Sequence, residues 1–548
     1  MVWALVLTLA CTLSFGAEFL VRTEDPSKVP GKVIKRIDDK TYIVRIDEGV
    51  SVGLLSHAEG VLIEKNYRLR ALQTPNDPCL SYRWDLDFIG AYSAWDLSTG
   101  SGSVYVAVLD TGVDYNHPDL KDNLWKNPGE ICTDGVDNDG NGYVDDCYGV
   151  NILCYPEGKY DPKAQGCNKP DAMDDNGHGT SVASIVGAVG NNGTLITGVN
   201  WQVKIVPCKF LDSSGGGTIA GEIECLNYIL DLKRNKGLNI IAVNASYGEV
   251  YPDSQVQRDK IEELANEGIL YVTAAGNSNL NNDEVSMNPC NYDLGNMLCV
   301  GSVGSKGERS SFSNYGFNKV KLSAPGESIW TLKNGSAGTS CTDLSLTYGT
   351  SMSTPFVSGA VALLKSYQPS LNYTQIRERI ITTGRNYMSL AGKTYSCNVL
   401  SLDSLLLNSS SPKVCPSSLS ISWGSVEGCE SSSREFTLRN TGNGVVQVTS
   451  VRVEGSGFYL SKDDCSGRSL NTFEECRVYL SFSPAGAGDY SGRLLVSFSD
   501  SGLNFSVSLS AKSESSCGSG GCSTGGVAHS LLPLLGLLVI LSRLKRRW

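Results

Sequence analysis

The chain has 548 residues and a hydrophobic content of 41%, enough to build more than one core. With 46 basic against 57 acidic side chains the net charge is −11, which argues against a nucleic-acid partner and for a soluble exterior. Eighteen cysteines with no CxxC pair fit an oxidising, extracytoplasmic compartment better than a reducing cytosol.

Residues 1–15 are apolar, and Ser14, Gly16 and Ala17 offer a small-residue cleavage site, so 1–17 reads as a secretory signal peptide although no Lys or Arg precedes Arg22. A lipoprotein signal around Cys11 is the alternative, disfavoured by Thr8 where an aliphatic residue belongs. Residues 18–72 form a separate unit in which KVIKRIDDKTYIVRID and GVLIEKNYRLRA read as strands. From 76 to 407, apolar runs at 104–109, 203–207, 239–245, 269–275 and 298–303 alternate with helical stretches near 180–190, 218–234 and 257–267. This alternation predicts an α/β domain with a doubly wound, mostly parallel sheet and helices on both faces.

The stretch GTSMSTPFVSGAVALL at 349–364 predicts a helix with Val357, Ala360, Val361 and Leu364 on one face and Pro355 in or near its first turn. Ser351 at its start stands beside unpaired N–H groups, a setting for a helix cap or for a nucleophile whose oxyanion needs donors. The base must come from four histidines. His529 lies in the tail, His57 in the N-terminal unit, and His117 precedes Pro118 in a turn. His178 remains, at a Gly-flanked helix start with Val182, Ile185, Val186 and Val189 as the apolar face. Asp110 ends an apolar strand, where open α/β sheets place their sites, and is preferred to Asp114 as the carboxylate that orients the imidazole.

Between them lies DGVDNDGNGYVDD at 134–146. Asp137, Asp139, Asn141, the Tyr143 carbonyl and Asp145 follow the alternating ligand rhythm of a calcium loop, with Gly142 at the sharp turn and Asp146 closing the sphere in place of a bidentate Glu. A solvated acidic turn is the plainer reading. Neighbouring cysteines suggest local bridges, Cys132 with Cys147, Cys154 with Cys167, Cys208 with Cys225 and Cys290 with Cys299, and a longer one between Cys341 and Cys397, although spacing does not fix connectivity. Cys79 is then left over.

VAVLDTGVD, NGHGTSVAS and GTSMSTPFVSGA together resemble the three active-site motifs of the subtilisin-like serine proteases, and the chain order Asp110, His178, Ser351 is that family's order. The resemblance implies a serine endopeptidase acting on polypeptide substrates through an acyl-enzyme. TAAGNSN at 273–279 resembles the segment carrying the family's oxyanion asparagine, here Asn277. Ser213–Gly217, with Gly215, Gly216 and Gly217, and Ala245–Gly248, with Ser246, Tyr247 and Gly248, resemble the strands that flank a bound peptide. Ala274, Ala275 and Gly276 would line a primary pocket for an apolar side chain. Residues 18–72 resemble the family's inhibitory propeptides, small α+β units removed by self-cleavage, here near Ala71–Pro75. A retained packing domain is the alternative.

Residues 408–414 read as a linker and 415–512 as an antiparallel β-sandwich of short alternating strands. TLRNTGN and VYLSFSPAGAGDYSGRLLV resemble the immunoglobulin-type domains of the Hydin group, and Cys465 with Cys476 and Cys415 with Cys429 are plausible bridges. A Gly/Ser-rich linker at 513–526 leads to 527–548, a short apolar run with a basic end. That tail resembles bacterial C-terminal sorting signals, with a permanent membrane anchor as the alternative. The expected protein is a secreted or surface-exposed protease held inactive by its own propeptide, with structural calcium. A maturation protease dedicated to one partner, or a non-catalytic adhesion scaffold, are the other readings.

Overall fold

A computed structural model of the chain describes residues 17–25, 32–46, 61–65, 74–409, 411–427 and 432–514. The signal-peptide reading up to residue 16 and the tail readings beyond residue 514 lie outside the described residues. The chain divides after Gln73 into two compact units, each taken by itself.

In the first unit the described residues form a four-stranded antiparallel sheet in the order Lys32–Arg36, Thr41–Ile46, Ala17–Thr23, Val61–Lys65. The expected long strand after Lys32 is a hairpin, because the Asp38 side chain accepts from the backbone N–H groups of Lys40 and Thr41 and closes a turn. Ala17–Thr23, where no strand is expected from the sequence and Ala17 is assigned to the signal peptide, is a central strand, and Val21 and Val44 are buried. No helix occurs among the unit's described residues, so the helical half of the α+β expectation finds no counterpart there.

The second unit is built on a parallel sheet. Its strands are β1 (Gly100–Asp110), β2 (Gln202–Lys209), β3 (Ile240–Ala245), β4 (Leu270–Ala274), β5 (Met297–Val303) and β6 (Leu322–Pro325). The spatial order is β6-β5-β4-β3-β1-β2, extended at the edges by short two-residue strands. Strands covered on both faces must be apolar on both, which is why they stand out in the sequence as unbroken runs; all six residues of β3 are buried. The side chains of β1 alternate, Val106 and Val108 entering the core that holds Val357 and Val361, Ala107 and Leu109 the core that holds Leu226 and Ile229. The helices are α1 (His178–Gly187), α2 (Ile219–Arg234), α3 (Gln255–Asn266) and α4 (Thr350–Tyr367). Thr350–Leu364 is buried on every side except at Ser351, so α4 is a central helix rather than one with a single apolar face. Val189, expected on the face of α1, lies beyond that helix's end. Because β1 lies between β2 and β3, the winding reverses there and leaves a crevice at the carboxyl ends, where Asp110 is level with Lys209 and Leu109 with Ala245.

After Leu407 two sheets share a core that includes Trp423, Phe436, Phe458 and Phe482. Pairing is antiparallel throughout except that Ser420–Val426 runs parallel to Phe505–Ser513, a departure from the all-antiparallel expectation. Strand pairing begins at Val414 and ends at Ser513, one residue outside each expected boundary. The five short bridges expected between near neighbours are present. The other two expected pairings, Cys341 with Cys397 and Cys415 with Cys429, are corrected: Cys341 pairs with Cys79 and Cys397 with Cys415, while Cys429 lies outside the described residues. Spacing favours a near partner, but the fold brings together residues 262 apart. Cys397–Cys415 and Arg439 tie the two-sheet module to the sheet domain. The Arg439 guanidinium lies between the Phe317 and Tyr395 rings, 4.1 and 3.8 Å from their centres, and donates to both their carbonyls, to Asn318 Oδ1 and to Glu475.

Candidate active site

Asp110 is fully buried at the end of β1, and both its carboxylate oxygens face His178 Nδ1, at 2.8 and 3.0 Å. Its Oδ1 also accepts from the Thr111 N–H at 2.7 Å. Gly177, with φ +107°, turns the chain so that His178 opens α1 with 32% of its side chain exposed. Burial alone would push the imidazole down; the charge and hydrogen bond of Asp110, with a further contribution from Asp174, outweigh it and hold the group above the ordinary histidine value.

Two residues not singled out in the sequence brace this pair. Asp174 accepts from Thr111 Oγ1, from the N–H groups of Asn176, Gly177 and Thr180, and from Thr180 Oγ1, joining the end of β1 to the start of α1. Lys209, with its side chain wholly buried, donates to the carbonyls of Thr111 and Leu211 and pairs with Asp175 at 2.7 Å. The doubled acid of DDNGHG, so close to the histidine, was the available signal.

Thr350 opens α4, and Ser351 is its second residue, half-buried at the mouth of the crevice. Its N–H belongs to the first turn, whose donors have no partner within the helix. Pro355 is the sixth helical residue, one turn deeper than the sequence suggested. Lacking an N–H, it cannot donate to the Ser351 carbonyl, and Ser246 Oγ does so instead at 2.9 Å. Across from the serine, Asn277 Oδ1 accepts from Thr350 N and Oγ1 at 2.8 and 2.9 Å. That fixes the amide so that Nδ2 is the free end, and Nδ2 has no hydrogen-bond partner among the described residues. No hydrogen bond joins Ser351 Oγ to His178 among the described residues; such contacts often close only when substrate is bound.

The profile of the subtilase family matches residues 101–399, more than half of the chain. The chain belongs to the subtilase family. It is 33% identical over 323 residues to "Subtilisin-like protease 1" of Plasmodium berghei, covering 55% of this chain and 49% of that protein. It is 33% identical over 351 residues to "Thermophilic serine proteinase" of a Bacillus strain, with 64% and 74% covered. It is also 33% identical over 318 residues to "Extracellular protease" of Xanthomonas campestris, with 56% and 52% covered. The chain thus spans about half the length of the first of these relatives.

In this subtilase a cavity of about 570 Å³ lies against His178 and Met352, and two smaller ones share Tyr247 and Gly248. One, of about 210 Å³, is lined by Ser351, Asn277, Gly276, Ala274 and Met287, together with Tyr247 and Gly248. The second, of about 290 Å³, lies between Gly215–Gly217 and the same Tyr247 and Gly248. Two residues expected at the surface of the site face elsewhere. Ala275 is fully buried against Cys290, Cys299 and Val320, because successive residues of an extended segment point to opposite faces. Ser246 is buried and spends its hydroxyl on Asn244 and on the Ser351 carbonyl.

The acidic loop differs from its expected ligand set. Oxygens of Glu130, Asp137 and Asp139 lie within 4.8 Å of one another. Glu130 Oε1 accepts from the N–H groups of Asn138 and Asp139, and its buried Oε2 has no partner among the described residues. Asp145 instead accepts from the N–H groups of Asp134 and Gly135. Asp146 is buried among Asn127, Asn141 and Tyr228, and burial pushes its carboxyl up to about 6. Asn141 Oδ1 accepts from Tyr143 N–H, and the Tyr143 ring packs on Tyr155 and Tyr228. Glu130 was missed because it precedes the loop whose internal rhythm carried the prediction. Three converging carboxylates and an unpaired buried oxygen suit a hard cation, although Lys236 Nζ already lies 3.0 Å from Asp139.

Proposed function

We propose that this subtilase is a secreted or surface-exposed serine endopeptidase that hydrolyses polypeptides. The observation that carries it is the Asp110–His178 pair at 2.8 Å, on the rim where Ser351 stands in the first turn of α4. In this reading Ser351 Oγ attacks the scissile carbonyl and its proton passes to His178 Nε2. The imidazolium formed is held by Asp110 and returns the proton to the leaving amine. The acyl-enzyme is then cleaved by water through the same base, and the Asn277 amide and the Ser351 N–H receive the oxyanion. Ser351→Ala should abolish cleavage and leave a full-length precursor in a host free of other proteases. A mutant trimmed normally near residues 71–75 would overturn self-processing, and one that still cleaves peptides would overturn the nucleophile.

Residues 18–72 act in this proposal as the inhibitory propeptide, and 415–512 as an immunoglobulin-like spacer of Hydin type. The tail at 527–548 serves as sorting signal or anchor. Calcium is assigned to Glu130, Asp137 and Asp139, where it would neutralise the converging carboxylates and stiffen the loop without entering the reaction. Intact mass with both terminal sequences of the secreted protein tests signal, propeptide and tail together.

A further inference from the structure

The cavity of about 290 Å³ between Gly215–Gly217 and Tyr247 has an acid at its floor. Phe210, Leu211 and Ile219 form apolar walls, and Glu222, from the first turn of α2, lies at the base with 2% of its surface exposed. Its carboxylate accepts from Tyr271 Oη and Gln257 Nε2, each at 2.5 Å, and bonds the Tyr247 hydroxyl as well. All three partners are neutral. Among the described residues no lysine or arginine pairs with Glu222, unlike Asp85 with Arg83 or Asp175 with Lys209. Burial raises its pKa, opposed only by those neutral hydrogen bonds. A buried carboxyl without a countercharge is driven toward its neutral form, and a cation brought within a few ångströms restores the ionised form and pairs with it. Glu249, exposed at the rim, adds a second acid, and among the described residues no cationic side chain lines the cavity. Tyr247, Gly248 and Glu249 also line the cavity of Ser351, so one extended chain could occupy both.

We propose that this cavity selects a substrate side chain ending in a cation, lysine or arginine, at one position before the scissile bond, with Glu222 as the specificity-determining residue. The proposal rests on the peptidase reading. Methylenes of such a side chain fit the Phe210, Leu211 and Ile219 walls while the charged head meets the floor.

The test is a set of quenched fluorescent peptides carrying lysine or norleucine at each of the four positions before the cleaved bond. Norleucine keeps the stem and lacks the ammonium. Lysine should raise kcat/KM about tenfold or more at a single position, as expected for a hydrogen bond to a charged group. The preference should vanish in Glu222→Gln, read as the ratio of the two peptides in one sample so that the folded fraction cancels. Norleucine matching or beating lysine at all four positions in the unmutated enzyme would overturn the proposal, whether or not the variant folds. A lysine preference unchanged in Glu222→Gln would overturn the assignment to that residue. Cleavage of none of the peptides would bring down the peptidase reading and this proposal with it.

Discussion

The crevice around Ser351 and the joint around Arg439 are both polar, yet they treat their donors in opposite ways. At the joint the guanidinium is sandwiched by two rings and donates to two carbonyls, an amide oxygen and a carboxylate. In the crevice, bracing residues are saturated while the groups assigned to chemistry are left open. Asp174 takes five hydrogen bonds, whereas Asn277 Nδ2 has no partner among the described residues. Open donors are useful where charge develops during a reaction, and saturated ones where two parts must stay together.

Short of removing Ser351 itself, the largest effect on turnover should come from Asn277. Asn277→Asp can keep the acceptor for Thr350 and loses the amide donor, so kcat should fall about 10²–10³-fold, roughly 2.7–4 kcal/mol, with KM and melting temperature little changed. Arg439→Ala should do the reverse. It strips a side chain that is 2% exposed from its partners, at a cost of about 2–4 kcal/mol once the partial exposure of Glu475 is discounted. Denaturant unfolding should show that loss while activity per folded molecule is retained. If Arg439→Ala left stability intact but cut kcat, the contrast between the two regions would fail.

The sequence made the crevice legible because its elements are extreme: strands apolar on both faces and glycines at chain reversals. Asp110, His178, Ser351 and Asn277 were each placed by an element's end, and element ends survive small errors in boundary. The braces were harder to read. Lys209 sits inside an apolar strand, and only the register that sets it level with Asp110 gives it a purpose. The Arg439 joint and the Cys79–Cys341 bridge depend on contacts between segments 44 to 262 residues apart, which no local pattern encodes. Glu222 was invisible for a similar reason, since an acid in the first turn of a helix is an ordinary favourable arrangement until the fold buries it.

A smaller effect is expected at the acidic loop, a second place where a polar group is left open. Chelation should lower the melting temperature without changing kcat measured well below it. Bound at 100 times its Kd, an ion adds about 2.7 kcal/mol. Glu130→Gln should remove most of the chelator's effect, whereas Asp145→Asn should leave it in place, since Asp145 turns to the backbone of Asp134 and Gly135. A melting point indifferent to chelator would mean that Glu130 Oε2 is open for another reason.

The mildest perturbation separates the two regions by pH. Catalysis requires neutral His178, so kcat/KM should rise with pH along a limb centred above the ordinary histidine value of 6.5. Stability should move the other way. A histidine whose folded pKa exceeds its unfolded one contributes fully below about 6.5, and that contribution is lost as pH rises through the folded pKa. Asp174→Asn removes a negative charge that favours the imidazolium, so the limb should shift toward acid while the Asp110 contact keeps it from collapsing. Among the described residues Arg439 makes no hydrogen bond to His178, Asp110 or Asp174, so Arg439→Ala should leave the limb where it was. If the limb moved with Arg439→Ala and stood still with Asp174→Asn, the brace would lie at the joint and not behind the histidine.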